Sequence, residues 1–158
     1  MKAPLPPVQL RPATPADVPG MFQVRTAATE NALSAAELAE LGITPAAIAQ
    51  MLRAAPCGWV VLDGGTVVGF SMVDLDEACL FAAFVLAAHE GHGIGTALIR
   101  AAEEALFTRH ATAWLVTAAA SRAARLYRHL GWGNAVDQGD GDIRLEKQRP
   151  APSIPAAD

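Results

Sequence analysis

Apolar positions along the chain fall into two patterns, short continuous or alternating runs bounded by glycine and proline, and three- to four-residue spacings that read as helices. Val8-Gln9-Leu10-Arg11 predicts a short strand. Thr14-Pro15-Ala16-Asp17 is a helix start, with an N-cap hydroxyl, proline at the first helical position and an acid at the third. Val18, Met21, Phe22 and Arg25 then mark one helical face. Ser34-Ala35-Ala36-Glu37 is a capping box for a short helix that Gly42 closes, and Thr44-Pro45 opens a third helical piece with Ile48, Met51 and Leu52 inward, ending at Pro56.

Gly58-Trp59-Val60-Val61-Leu62 and residues 66–73 flank Asp63-Gly64-Gly65 and predict a hairpin. Asp74-Leu75-Asp76-Glu77-Ala78 makes the next turn, a composition that reads as a solvated loop. Residues 79–86 are almost continuously apolar, which predicts a central strand covered on both faces. From Gly95 to about Phe107 a helix carries Ile94, Leu98, Ala101, Ala102, Ala105 and Leu106 on its packed side, with Arg100, Glu103 and Glu104 opposite. Residues 113–117 predict another buried strand. Ser121 caps a helix with Ala123, Leu126, Tyr127 and Leu130 inward and Gly131 just past its end. Two last strands, residues 133–136 and 143–146, flank Gly139-Asp140-Gly141. One domain over residues 8–147 is expected, between a disordered leader at 1–7 and a Pro- and Ala-rich disordered tail at 148–158.

Composition narrows the class. A chain of 158 residues with 52% hydrophobic and 18% charged residues can bury one core of its own and has no room for a second. A formal charge of −4 disfavours nucleic acid, which requires a basic stripe, and suits a cationic amine. Cys57 and Cys79 form no C-x-x-C pair and read as buried thiols of a reducing compartment. The absence of a signal-like start, and of any apolar run near the ~20 residues that span a bilayer, predicts cytoplasmic residence without membrane contact. His89 and His92 lack a matched carboxylate or cysteine pair at zinc spacing, so no metal is expected.

The stretch from Ala82 to Ile99 organises the rest: an apolar run, alternating glycines at Gly91, Gly93 and Gly95, then a helical pattern. Strand, glycine loop and helix N-terminus together make an anion site, because glycine lets backbone N–H groups approach a ligand's oxygens and the helix adds its positive end. No lysine follows Gly95, which excludes a P-loop, and the third glycine and distal acid of a dinucleotide fingerprint are missing. What fits is the Q/R-x-x-G-x-G/A spacing in Glu90-Gly91-His92-Gly93-Ile94-Gly95. A second segment, Leu126-Tyr127-Arg128-His129-Leu130-Gly131-Trp132, matches an L-Y-x-x-x-G-F/W motif. With both motifs in that order, the chain resembles the GNAT superfamily of acyl-CoA-dependent N-acyltransferases over residues 8–147.

The resemblance implies an α/β fold, the GNAT fold, with a mixed and mostly antiparallel sheet of six to seven strands and about four helices on both faces. It implies acetyl transfer from acetyl-CoA to a primary amine of a small molecule, peptide or protein in a ternary complex. The pyrophosphate of coenzyme A would lie on Glu90, Gly91, His92, Gly93, Ile94, Gly95 and Thr96, and the pantetheine arm along the backbone of Phe84 and Val85. Tyr127 falls where the family's tyrosine protonates the departing thiolate. Glu30 and Asn31 lie in the segment that overhangs the acceptor. No general base stands out, and exposed strand edges allow a homodimer. Two other readings stay open, a silent acyl-CoA binder and a partner-binding domain without cofactor.

Overall fold

The computed structural model describes residues 8–151. The leader at residues 1–7 and the tail residues 152–158 lie outside the described residues. Seven strands form one sheet: β1 (Val8–Pro12), β2 (Gly58–Asp63), β3 (Thr66–Asp74), β4 (Cys79–Val85), β5 (Thr112–Ala118), β6 (Gly133–Gly139) and β7 (Asp142–Gln148). Their spatial order is β1-β2-β3-β4-β5-β7-β6, antiparallel throughout except where β4 meets β5. Five α-helices complete it: α1 (Val18–Thr26), α2 (Ala35–Glu40), α3 (Pro45–Ala54), α4 (Ile94–Phe107) and α5 (Arg122–His129). The architecture is the mixed, mostly antiparallel one expected, with seven strands and one helix more than the four implied.

Local chemistry accounts for the element boundaries. Ser34 accepts from the Glu37 N–H while Glu37 bonds back to the Ser34 N–H, both at 3.1 Å, a reciprocal cap for α2. Thr44 and Ser121 cap α3 and α5 from one side only, accepting from the N–H groups of Ala47 and Ala124. Helices lie on both faces. Gly20 of α1 packs so closely on β3 that a Cβ there would come within 2.8 Å of Val67, whereas Ser71 Oγ turns to the opposite face and donates to Leu98 O of α4 at 3.0 Å. Trp132, Met21, Met72, Leu98, Leu106, Leu115 and Leu145 are fully buried between these layers.

Three expectations need correction. β4 is central in the order but not covered on both faces: only Cys79 and Leu80 are buried, and Phe81 is 39% exposed. β5 likewise alternates rather than being buried, with Val116 45% exposed. The cause is shared, because the two strands pair at one position, Cys79 with Trp114, and then diverge. Third, Glu103 does not face solvent. It is 4% exposed on the packed side of α4, where its carboxylate accepts from Trp132 Nε1 (3.0 Å), Lys147 Nζ (2.7 Å) and Arg100 Nη1 (3.2 Å). Lys147 also donates to Leu130 O at 2.8 Å, so one buried ion pair ties α4, the end of α5 and β7 together. At the end of the domain, β7 runs through Gln148, and the backbone of Arg149 still bonds Ala111 O at 2.7 Å.

Glu103→Ala leaves the half-buried Lys147 ammonium with Leu130 O alone and the Trp132 indole N–H without its acceptor, and should lower unfolding free energy by about 3 kcal/mol in urea titration; Glu103→Gln, which keeps an acceptor for Trp132, should lose less. A second prediction concerns acid. Arg11 holds the buried Asp17 carboxyl below its ordinary value through bonds of 2.8 and 2.9 Å, outweighing the opposing effect of burial, and Thr14 adds a backbone N–H. A carboxyl with the lower value in the folded state stabilises above its unfolded value, 3.8, and that stabilisation is lost as pH falls through the folded one. Asp17→Asn should therefore be less stable than the wild type at pH 7, with the gap closing below pH 4 when melting temperatures are compared.

Candidate active site

Because β4 and β5 part after Cys79 and Trp114, a cleft of about 380 Å³ opens between them, walled by residues 80–87 on one side and Val116, Thr117 and Ala118 on the other. The Leu86 N–H donates to Val68 O on β3 at 2.9 Å. In an extended chain, neighbouring residues direct their amides to opposite edges, so the N–H of Val85 faces the cleft. Any carbonyl oxygen bound there meets a backbone donor.

The cleft continues into a second hollow of about 250 Å³ at the start of α4, lined by Glu90, Gly91 and Gly93 from the loop, Gly95 and Thr96 from the first turn of α4, and Arg122, Ala123, Leu126 and Tyr127 from α5. Gly93 is the N-cap of α4 in the left-handed region, with φ 82°, and no side chain caps the helix. Helix N–H groups left without a side-chain cap favour an anion. Gly95 has a different reason to be glycine: a Cβ would lie 3.3 Å from Leu126 Cδ2, so its absence lets α5 approach α4.

Tyr127 lines both hollows. Its ring is buried and meets Trp132 edge-on with centroids 6.1 Å apart, and no described residue hydrogen-bonds its hydroxyl. Burial, helped by nearby Cys79, pushes the phenol well above its ordinary value, so it stays protonated at any neutral pH. The group is a donor, not a base.

Two carboxylates line the cleft and both are engaged by α5. Glu90 pairs with Arg122 Nη1 at 3.0 Å, and both Glu30 oxygens accept from the Arg122 N–H, at 2.9 and 3.1 Å. Glu30 thus sits at the positive end of α5. Asn31, in the left-handed region at φ 53°, lines the cleft and an adjoining apolar cavity. Asp74, by contrast, closes its own turn, accepting from the N–H groups of Asp76 and Glu77 at 3.1 Å.

The fold therefore brings together Phe84, Val85, Glu90, Gly91, Gly93, Gly95, Thr96 and Tyr127 around one continuous space, with Glu30 and Asn31 at its rim. It does not bring the Ile94 or His92 side chains there. Ile94 is buried against Val61, Val68 and Leu98, and His92 is half-buried outside the lining. His89 anchors the loop by bonding Asp63 at 3.0 Å. Arg25, which sequence placed only on a helical face, is a member of this region that the pattern did not single out: it is 8% exposed with its guanidinium over Phe84.

A family model for the acetyltransferase (GNAT) family matches residues 21–132. Among solved structures, the fold is similar to PaiA N-acetyltransferase from Thermoplasma acidophilum in complex with coenzyme A, at 13% identity and TM-score 0.75, over 90% of this chain and 99% of that one. It is similar to Ard1 from Thermoplasma volcanium at 16% identity and TM-score 0.72, over 91% and 99%. The ribosomal-protein-S18-alanine N-acetyltransferase from Escherichia coli shares 22% identity and TM-score 0.66, over 94% and 99%. No curated protein matches the chain. Among the described residues, no helix is long and apolar enough to cross a membrane.

If the Glu30 carboxylate serves α5 as a cap, Glu30→Ala should lower stability by about 0.5–2 kcal/mol in urea titration, and Glu30→Gln, which keeps one acceptor oxygen, should lose less. A substitution without effect on stability would assign Glu30 to the cleft alone.

Proposed function

We propose, from the premise that this chain belongs to the acetyltransferase (GNAT) family, that it moves an acetyl group from acetyl-CoA to a primary amine of a small molecule, peptide or protein by direct attack in a ternary complex. The carrying observation is the single parallel pair between β4 and β5, which leaves a strand-width opening beside the uncapped start of α4. The residues fit the donor. Gly93 leaves open space where a Cβ would stand, the α4 N-terminus offers positive character, and the Phe84–Val85 edge offers backbone groups for an extended arm. Acetyl-CoA supplies the acyl group already activated as a thioester.

The chain's own residues do the rest. The Val85 N–H lies where negative charge develops on the carbonyl oxygen, a kind of contact whose loss raises a barrier by about 2.7–4 kcal/mol. Tyr127 holds the proton that the leaving sulfur takes up. Gly91 to Thr96 bind the pyrophosphate, with Glu90 kept from opposing it by its pairing with Arg122. Glu30 and Asn31 border the acceptor's approach. Neither cleft carboxylate stands free as a base, so the amine must shed its proton to water, and rates should rise with pH toward the amine's own pKa.

Two measurements test this. Thermal unfolding with acetyl-CoA should show a saturable rise, equivalent to about 2.7 kcal/mol at 100 times the dissociation constant, that free adenosine bisphosphate and NAD do not reproduce; no shift at millimolar acetyl-CoA overturns the proposal. Tyr127→Phe should lower kcat by about 10²–10⁴-fold, the ordinary weight of a general acid, while the acetyl-CoA shift persists. An unchanged kcat removes Tyr127 from the chemistry.

A further inference from the structure

Arg25 is the most exacting group in the molecule. It extends from α1 over Phe84, with 4.3 Å from the guanidinium carbon to the ring centroid, and Phe84 in turn stacks on Phe70 at 5.7 Å. Its Nη1 is enclosed without a hydrogen-bond partner, and among the described residues no carboxylate pairs with the guanidinium. A ring face compensates a buried cation only in part, and a guanidinium's five donors are made for a planar anion. Burying a charge without its counterion is unfavourable, and an anion that reached this guanidinium would relieve that cost.

The space in front of it has a definite character. Arg25 lines a half-open hollow of about 260 Å³ between α1, α2, α3, β3 and β4, in which Asn31 is the only other polar lining residue. Met21, Leu33, Leu38 and Met72 are among its apolar walls. Asn31, Phe81, Ala82 and Phe84 line both this cavity and the cleft between β4 and β5. A small molecule can therefore place its amine at the Val85 edge while its other end lies under Arg25.

We propose that this cavity is the acceptor pocket and that the acceptor is a small amino acid with an apolar side chain, its carboxylate paired with Arg25. This rests on the acetyl-transfer reading and narrows it. The amine nitrogen forms a bond to the acetyl carbon, the carbon–sulfur bond breaks, and the proton the amine loses is balanced by the one the sulfur gains, giving an N-acetyl amino acid and coenzyme A. A peptide or a neutral amine lacks a carboxylate within reach of Arg25 and is disfavoured.

The test follows coenzyme A release with leucine, methionine and phenylalanine, each against its carboxamide. At least one acid should exceed its amide in kcat/KM by about 10²-fold, chiefly through KM, as loss of one partner of a buried charge pair implies. Arg25→Met should bring that ratio near unity, and Arg25→Lys should restore part of it. Acid and amide used alike, acids left untouched by a protein that binds acetyl-CoA, or a preference that survives in Arg25→Met overturns the assignment. Should both variants fail to fold, the wild-type ratio decides alone. The acetyl-CoA melting shift separates the two levels: with a shift and no acid preference only the acceptor assignment falls, and without a shift the acyltransferase reading falls first.

Discussion

Everything at the site depends on β4 and β5 pairing once and then parting. A parallel neighbour would ordinarily satisfy the whole edge of a central strand, and buried backbone groups do not go unpaired without something to replace the partner. Here the register of β4 against β3 shifts between Met72 and Val73, opposite Phe81, just past the Cys79–Trp114 pair at which β4 leaves β5. The edge from Leu80 to Val85 faces an open cleft rather than another strand. Closing that cleft by continued pairing would cover the Val85 N–H with another strand.

An open cleft must be held open, and the walls have separate anchors. On the β4 side, Ser71 fastens the strand layer to α4 through Leu98 O. On the β5 side, the Glu103–Lys147 pair and the Trp132 indole join α4, α5 and β7. Tyr127 and Trp132 meet on that second wall, so the same buried ion pair that stabilises the domain also fixes the phenol's place. The two rim carboxylates then converge on Arg122, one through its side chain and one through its backbone. Negative charge near the glycine loop is neutralised within the protein, leaving the start of α4 free to attract an anion.

Backbone punctuation was the legible part of the sequence. Thr14-Pro15, Ser34 with Glu37, Thr44-Pro45, Asp63-Gly64-Gly65 and Ser121 each act locally, and the elements begin and turn where those residues stand. The two motifs likewise locate the glycine loop and the helix bearing Tyr127. Burial was less legible. An unbroken apolar run from Leu80 to Leu86 reads the same whether a strand is covered by protein or lines a cavity for a ligand, so β4 looked sealed when it is open. Charge misled in the opposite direction at Glu103, placed outward by type but drawn inward by Lys147, distant in sequence, whereas Arg25 was read on the apolar face of α1 without the aromatic ring that receives it there. Such pairings carry no local signal.

For the acid role proposed for Tyr127, the raised phenol is a stronger constraint than its position. A thiol of coenzyme A type ionises near 8.5, below even an unperturbed phenol at about 10, so complete proton transfer from tyrosine to a free thiolate is uphill. Burial widens the gap. A finished thiolate waiting for its proton would therefore be poorly served by this residue. In the acyl transfer we propose, the proton would move while the carbon–sulfur bond is breaking, or be shared in a hydrogen bond that draws off charge as it forms, since the same apolar surroundings that hold the phenol neutral would also raise the basicity of a sulfur anion placed beside it. Burial that makes Tyr127 a weaker acid thus makes its acceptor a stronger base, and the match between them is set by the wall they share.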